Sequence, residues 1–336
     1  MSLLAADVGG TNTRFCLARS DGGSLHILQQ QTYASADYAR FDLALAAFLA
    51  QCDCADSLHA ACIAVAGPVL QQAGEYQASI TNLPWQISSA ALQQQLQLSE
   101  VKLINDFTAV CYGIDQLNPQ QIDILQPGIP TDRPAHPSAL VIGAGTGLGV
   151  AHRLWIDGAW HVLPTETGHA GFAPESALQT ALLTYLQADT AHVSLESILS
   201  GRGFYIIYRF LQKHLGLQPT ADIEARLQYE NSAKVICEAA LASHDALSQQ
   251  TLELFIEIYG AAAGNCALNH YPLHEVYIAG GIAAKISTAL HSEAFINAFT
   301  QKGLMSDNLR TLSVKLITEE SVGLLGALAF AAQAQA

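Results

Sequence analysis

The chain contains one local pattern twice, and that repetition limits the folds open to it. Near the start, Leu3-Leu4-Ala5-Ala6-Asp7 runs apolar into an aspartate, turns through Val8-Gly9-Gly10-Thr11-Asn12, and leaves as Phe15-Cys16-Leu17-Ala18. Further on, Ala139-Leu140-Val141-Ile142 enters a second turn, Gly143-Ala144-Gly145-Thr146-Gly147-Leu148-Gly149, and Val150-Ala151-His152-Arg153-Leu154 leaves it. Strand, tight glycine turn and strand is a hairpin signature, because glycine reaches backbone angles closed to other residues. Without side chains in the way, several backbone N–H groups can converge on an anion, and Thr11 and Asn12 add donors. Asp7, ending a buried strand, is placed to hold a hydrated Mg²⁺ beside that anion. Alone, D-V-G-G-T-N reads equally well as a hairpin with a polar tip; the second copy favours the anion.

Other phosphate motifs do not fit. A G-x-G-x-x-G register from Gly143 meets Leu148, and no Gly-Lys-Ser/Thr follows either turn. Two phosphate-type hairpins in two halves of one chain instead suggest a nucleotide held between two related domains. A length of 336 residues suits two domains, and an apolar fraction of 50% against 13% charged residues supplies a generous core. A net charge of −14 with only 15 Lys plus Arg argues against nucleic acid or an anionic membrane as partner. No stretch of about 18 apolar residues suggests a membrane span. Asp7 interrupts the first apolar run and no basic segment precedes it, so no signal peptide is expected. Seven cysteines are scattered, with Cys16, Cys62 and Cys266 in apolar runs and only Cys52-Asp53-Cys54 closely spaced. That distribution fits a reduced, cytoplasmic protein.

The remaining pattern alternates strands and helices, as an α/β sheet requires. A third strand is expected over His26–Tyr33, then a helix over Asp37–Gln51 carrying Tyr38, Phe41, Leu45 and Phe48 at helical spacing. A buried strand at Ala60–Ala66 stops at Gly67-Pro68, an irregular segment covers Ser79–Trp85, and a Gln-rich helix follows near Ser89–Leu98. The strand Val101–Ile104 delivers Asn105-Asp106 to a helix starting at Phe107. Pro and Gly make Leu163–Phe172 a loop. The longest helix, near Leu247–Asn269, carries Gly260 and Gly264, which points to close helix packing in a core. Strands at Glu275 and Leu312 and a closing helix from Gly323 complete the chain.

These motifs together resemble the actin-like sugar-kinase superfamily, and within it the bacterial ATP-dependent glucokinase family. The residues that carry the resemblance are D-V-G-G-T-N at 7–12, Asn105-Asp106-Phe107, G-A-G-T-G-L-G-V-A at 143–151, Glu166-x-x-His169, Glu196-Ser197-Ile198-Leu199-Ser200-Gly201 and Ala279-Gly280-Gly281. The resemblance implies an α/β, two-domain actin-like (ribonuclease H-like) ATPase fold with a cleft between a small and a large domain. It places the small domain at 1–108 plus 318–336 and the large one at 109–317. It implies phosphorylation of glucose to glucose 6-phosphate, with closure over the sugar excluding water. Asn105, Asp106, Glu166, His169 and Glu196 are implied to hold the hexose, with Asn82 beside Trp85 as a further contact. ATP is implied at Ala6, Asp7, Val8, Gly9, Gly10, Thr11 and Asn12, at Gly145, Thr146 and Gly147, and at Gly280 and Gly281. A homodimer is also implied.

The chemistry of the residues agrees. A sugar is a ring of hydroxyls, and carboxylates are strong charge-assisted acceptors for them. Asp106 is the expected general base on the 6-hydroxyl, in a transfer that rests on positioning and charge neutralisation. Asn105-Asp106 also reads as a plain helix cap, with Asp106 as the capping residue. Glu166-x-x-His169 looks like half of a di-iron motif, but it stands alone on a Gly/Pro loop. Relatives with a structural zinc place cysteines after the histidine, whereas none lies between His169 and Cys237, so no structural zinc is expected. Alternatives are a kinase for another hexose or amino sugar, and a sugar-sensing regulator. Against the regulator, the first strand begins at Leu3, leaving no room for an N-terminal DNA-binding helix-turn-helix.

Overall fold

The computed structural model describes residues 1–21, 24–52, 58–72, 74–80, 83–129 and 134–333. Contacts divide it into two units, one of Met1–Asn118 with Ser321–Ala336 and one of Pro119–Glu320. The first unit is built on strands β1 (Ser2–Val8), β2 (Asn12–Asp21), β3 (Ser24–Ala34), β4 (Leu58–Val65), β5 (Val69–Gln72), β6 (Glu75–Ser79), β7 (Gln86–Ser88) and β8 (Val101–Asn105). Its main sheet runs β3-β2-β1-β4-β8, and β5-β6-β7 form a small separate sheet. In the main sheet β1–β2–β3 is an antiparallel meander, while β4 and β8 run parallel to β1. The second unit contains β9 (Ile122–Gln126), β10 (Ala139–Ala144), β11 (Leu148–Ile156), β12 (Ala159–Thr165), β13 (Glu275–Ala279) and β14 (Ser313–Ile317), in the order β12-β11-β10-β13-β14-β9. Here β10–β11–β12 is the antiparallel meander and β13 and β14 run parallel to β10. The two sheets repeat one plan.

The plan follows from side-chain patterning. β10 and β13 are buried along their whole length and read as continuous apolar runs, as parallel strands covered on both faces do. In the first unit Phe15 stacks on Phe48 with ring centroids 5.3 Å apart, and buried Trp85 donates its indole N–H to the Tyr38 carbonyl at 3.0 Å. In the second, the helix Ala246–Leu268 presents Gly260 and Gly264 to the carbonyls of Phe295 and Phe299 on the helix Glu293–Thr300. No Cβ fits at either glycine, so the glycine spacing sets the closeness of this crossing.

Register decides what reaches the sheet ends. Val8 aligns with Val65 and Val65 with Asn105, so the carboxyl ends of β1, β4 and β8 finish level. Gly143 likewise aligns with Ala279, levelling the ends of β10 and β13. Loops at such ends are where open α/β sheets bind ligands.

Three local expectations need correction. β12 continues through Pro164 to Thr165 rather than ending in a loop at Leu163. It is an edge strand, where a missing N–H costs no ladder bond. The helix expected from Asp37 begins at Phe41, after a short 3₁₀ turn over Ser35–Asp37. The helix cap is Asn105 rather than Asp106: its Oδ1 accepts from the Phe107 N–H at 2.9 Å and the Thr108 N–H at 3.3 Å, and Asp106 is the first helical residue.

The helix Asp106–Gly113 packs on the C-terminal helix Val322–Gln333 with almost no spacing. A Cβ on Gly326 would run into the Ala109 carbonyl, and one on Gly113 into that of Val322. Gly326→Ala is therefore expected to destabilise the protein by about 1–3 kcal/mol, the usual cost of overpacking. A thermal melt should show a fall of several degrees; an unchanged midpoint would mean that this crossing does not set the position of Asp106.

Candidate active site

In the first unit the hairpin turn joins β1 to β2, with Asp7 opposite Arg14 in the register. Gly9 N–H donates to the Asn12 carbonyl at 2.9 Å, closing the turn on itself. From the end of β8, Asn105 Nδ2 donates to the Gly67 carbonyl at 3.3 Å, tying the third strand end to the second. Ala6 and Val8 are buried, and Asp7, Gly9 and Gly10 are half-buried, whereas Thr11 and Asn12 are exposed. The unit thus gathers Ala6–Asn12, Asn105 and Asp106 at one sheet end. Asn82 lies outside the described residues.

The electrostatics here are unusual. Burial pushes the Asp106 carboxyl up to about 7, with the negative charge of Asp7 adding to the rise, while hydrogen bonds from Phe107 and Asn105 lower it. The Phe107 N–H reaches Asp106 Oδ1 at 2.9 Å. Burial also raises Asp7, and the Arg14 guanidinium, 3.9 Å from its Oδ2, offsets part of that rise. Two partly buried carboxylates within each other's field suit a cation, since Mg²⁺ is held by one or two carboxylates together with phosphate oxygens. A carboxyl titrating near neutrality is equally suited to take and return a proton.

In the second unit the turn of β10–β11 closes with Gly145 N–H donating to the Gly147 carbonyl at 2.8 Å. Gly280 follows β13 with φ 92°, a conformation open to glycine, and its missing side chain leaves room for the Ala144 carbonyl. β12 runs parallel to β10, so Glu166 emerges at the same sheet end. Glu166 and His169 side chains are 84% and 64% exposed, and His169 Nε2 lies 3.8 Å from Glu166 Oε2. Glu196 is the anchored member of the set: Oε2 accepts from the Leu148 N–H at 2.9 Å, inside the second turn, and its own N–H donates to the Gly168 carbonyl at 2.9 Å. Gly201 N–H donates to the Gly145 carbonyl at 2.9 Å, so the 196–201 segment lines the turn. Glu166, His169, Glu196, Gly145–Gly147 and Gly280–Gly281 are therefore brought together in this unit.

Sequence reading overlooked several supports. Arg14 moderates Asp7, a role visible only once the hairpin register is known. Thr165 Oγ1 donates to the Val150 carbonyl at 2.9 Å and accepts from the Thr167 N–H at 3.3 Å, fixing the turn that carries Glu166. His192 Nε2 sits 2.8 Å from the His169 carbonyl; a carbonyl only accepts, so this nitrogen carries the proton. Among the described residues, no three His, Cys, Asp or Glu side chains cluster as a metal site, and no helix is long and apolar enough to cross a membrane.

Comparison with known proteins shows the family and the fold. The family model described as Glucokinase matches residues 4–334. A glucokinase of Nostoc punctiforme is 40% identical over 345 aligned residues, covering 98% of this chain and 99% of the relative. The crystal structure of a glucokinase from an Antarctic psychrotroph superposes with a TM-score of 0.82 at 30% identity, covering 99% of both chains. A ROK family glucokinase from Streptomyces griseus, solved in complex with glucose and AMPPNP, shares the fold with a TM-score of 0.64 at 18% identity, covering 99% of this chain and 100% of the other.

The raised pKa of Asp106 has a sign that can be checked on the free protein. An acid whose folded pKa lies above its unfolded value of 3.8 binds more protons when folded, so stability falls as pH rises from about 4 to about 7. Asp106→Asn removes that penalty. The variant is expected to melt at the same temperature as wild type near pH 4 and above it at pH 8. A variant that melts below wild type at pH 8 would show that the carboxylate is stabilised rather than strained.

Proposed function

The chain belongs to the glucokinase family, and on that premise we propose that it transfers the γ-phosphoryl group of ATP to the 6-hydroxyl of glucose with Asp106 as general base. The observation that carries the reading is the pair of partly buried carboxylates, Asp7 and Asp106, at the level ends of β1 and β8 and in each other's field. In the transfer, the 6-oxygen forms a bond to the γ-phosphorus, the bridging oxygen–phosphorus bond breaks to leave ADP, and the hydroxyl proton passes to Asp106. Its pKa near neutrality lets it accept that proton and release it afterwards.

The other residues position and neutralise. Asn105, Glu166, His169 and Glu196 hold the sugar hydroxyls, with Asn82 as an additional contact. Ala6–Asn12, Gly145–Gly147 and Gly280-Gly281 take the nucleotide through backbone N–H groups, which give positive field without a basic side chain. Asp7 would hold Mg²⁺, and the ion would supply charge neutralisation for the triphosphate. Glu196 divides its labour: one oxygen is taken by Leu148 N–H, which leaves the other for the sugar. We place the protein in the cytoplasm, on the count of seven scattered cysteines, and expect a homodimer from its family. Light scattering on the purified protein tests the dimer directly.

Two variants test the assignment of roles. Asp106→Asn keeps size and hydrogen bonding but removes the basic oxygen, so kcat should fall about 10²–10⁴-fold. Glucose affinity by calorimetry should change far less. Glu166→Gln should raise the glucose KM about tenfold or more, the usual value of a charge-assisted hydrogen bond, with kcat nearly preserved. Its melting temperature should not move, because the Glu166 side chain is 84% exposed. An ADP-release assay with ATP, Mg²⁺ and a panel of hexoses and amino sugars settles the substrate. Turnover of another sugar in preference to glucose would replace the glucose reading, and no turnover with any sugar would end the kinase reading.

A further inference from the structure

Both phosphate hairpins are held from outside their own motifs, and each by a hydroxyl with no access to solvent. Ser35 lies at the start of the 3₁₀ turn after β3 and is fully buried. Its Oγ donates to the Gly9 carbonyl at 2.9 Å. Its Oγ also lies 2.9 Å from Thr13 Oγ1. A hydroxyl has a single proton, so Thr13 is the donor in that second bond. The Ser35 N–H donates to the Thr11 carbonyl at 2.9 Å. One residue therefore fixes alternate positions 9, 11 and 13 of the first hairpin. The geometry has a direct consequence for an anion. The Gly9 carbonyl and the Gly10 N–H share one planar trans peptide and point in opposite directions. Holding the carbonyl on Ser35 aims the Gly10 N–H to the other side.

Tyr259 plays the corresponding part in the second unit. It is fully buried on the helix Ala246–Leu268, and its hydroxyl accepts from the Ala144 N–H at 3.2 Å. The same hydroxyl reaches the Ile142 carbonyl at 3.2 Å and the Ala279 carbonyl at 3.4 Å. The parallel ladder of β10 and β13 ends at the pair Gly143–Ala279. The phenol thus continues the bonding where the backbone ladder stops. Ala144 precedes Gly145, and Ala279 precedes Gly280, so one hydroxyl joins the stems of both nucleotide loops in this unit. Burial raises the phenol pKa, which keeps its proton in place for donation.

We propose that Ser35 and Tyr259 are positioning residues for the nucleotide, each setting the peptide orientation of one phosphate hairpin without touching ATP. This rests on reading the two hairpins as the ATP site. Losing one such hydroxyl leaves a buried backbone group unpaired and lets the peptide rotate, so an effect on nucleotide affinity of about tenfold is expected from each. Among the described residues, none assigned to the sugar bonds to either hydroxyl.

The test compares Ser35→Ala and Tyr259→Phe with wild type, reading AMPPNP affinity by calorimetry and the KM values for ATP and glucose. Each variant should raise the AMPPNP Kd and the ATP KM about tenfold while leaving the glucose KM within about twofold. Thr13→Val removes the donor to Ser35 at constant shape and serves if Ser35→Ala does not fold; Thr13→Ser should restore the wild-type values. A merely structural role would lower melting temperature and active fraction but leave the ATP KM of the surviving enzyme unchanged, and that result would overturn the proposal. Equal rises in both KM values would overturn it too. Wild-type protein that fails to bind AMPPNP would instead overturn the ATP reading itself.

Discussion

The fold brings two carboxylates together in a place that penalises both. Asp7 lies on β1 and Asp106 just past the end of β8, with β4 between those strands, yet the level strand ends put them in each other's field. Desolvation is the larger cause of the raised Asp106 pKa, and the like charge of Asp7 is the next. A carboxylate at the first turn of a helix would ordinarily be favoured by the helix dipole and by backbone donors. Here the Phe107 N–H is shared with Asn105, and the donors offset the burial only in part. Proteins retain such strain where function needs it, and a phosphoryl-transfer site needs both a base and a place for a cation.

Keeping the strained pair in place falls to parts of the chain that carry no motif. The helix Asp106–Gly113 cannot drift, because the C-terminal helix meets it backbone to backbone at Gly113 and Gly326. Asn105 caps that helix and reaches across to Gly67, so the residue next to the base is held by both polar atoms of its side-chain amide. The second unit uses the same logic. Glu196 is bonded into the glycine turn through Leu148, and the 196–201 segment returns to Gly145. The groups assigned to sugar and to phosphate thereby share a backbone frame within that unit.

The sequence made legible the features that depend on backbone chemistry at short range. Glycine turns, apolar strands and the Gly260–Gly264 spacing each carry their own local signal. The repeated hairpin also pointed to two related sheets, which the shared strand order of the two units displays. What escaped was whatever a neighbour in space decides. Pro164 looks like a loop residue until β12 proves to be an edge strand. Asp106 looks like the cap until the helix is seen to begin one residue earlier than expected, at Asp106 itself, with Asn105 taking the donors. Tyr259 reaches the second hairpin from a helix more than a hundred residues downstream, and no local pattern encodes such a bond.

The pH dependence of phosphoryl transfer tests the central claim, that the partly buried Asp106 carboxyl is the base. Single-turnover rates, with ATP, Mg²⁺ and glucose preloaded, would be measured from pH 5 to pH 9 for wild type and Asp106→Asn. In wild type the rate should rise about tenfold per pH unit at low pH and level off above the Asp106 pKa, which lies near 7 in the free protein and is lowered by a bound cation. In the variant the rate should be low and flat. A variant that keeps the wild-type rate and the same rising limb would contradict the account, because the proton would then be leaving to another group.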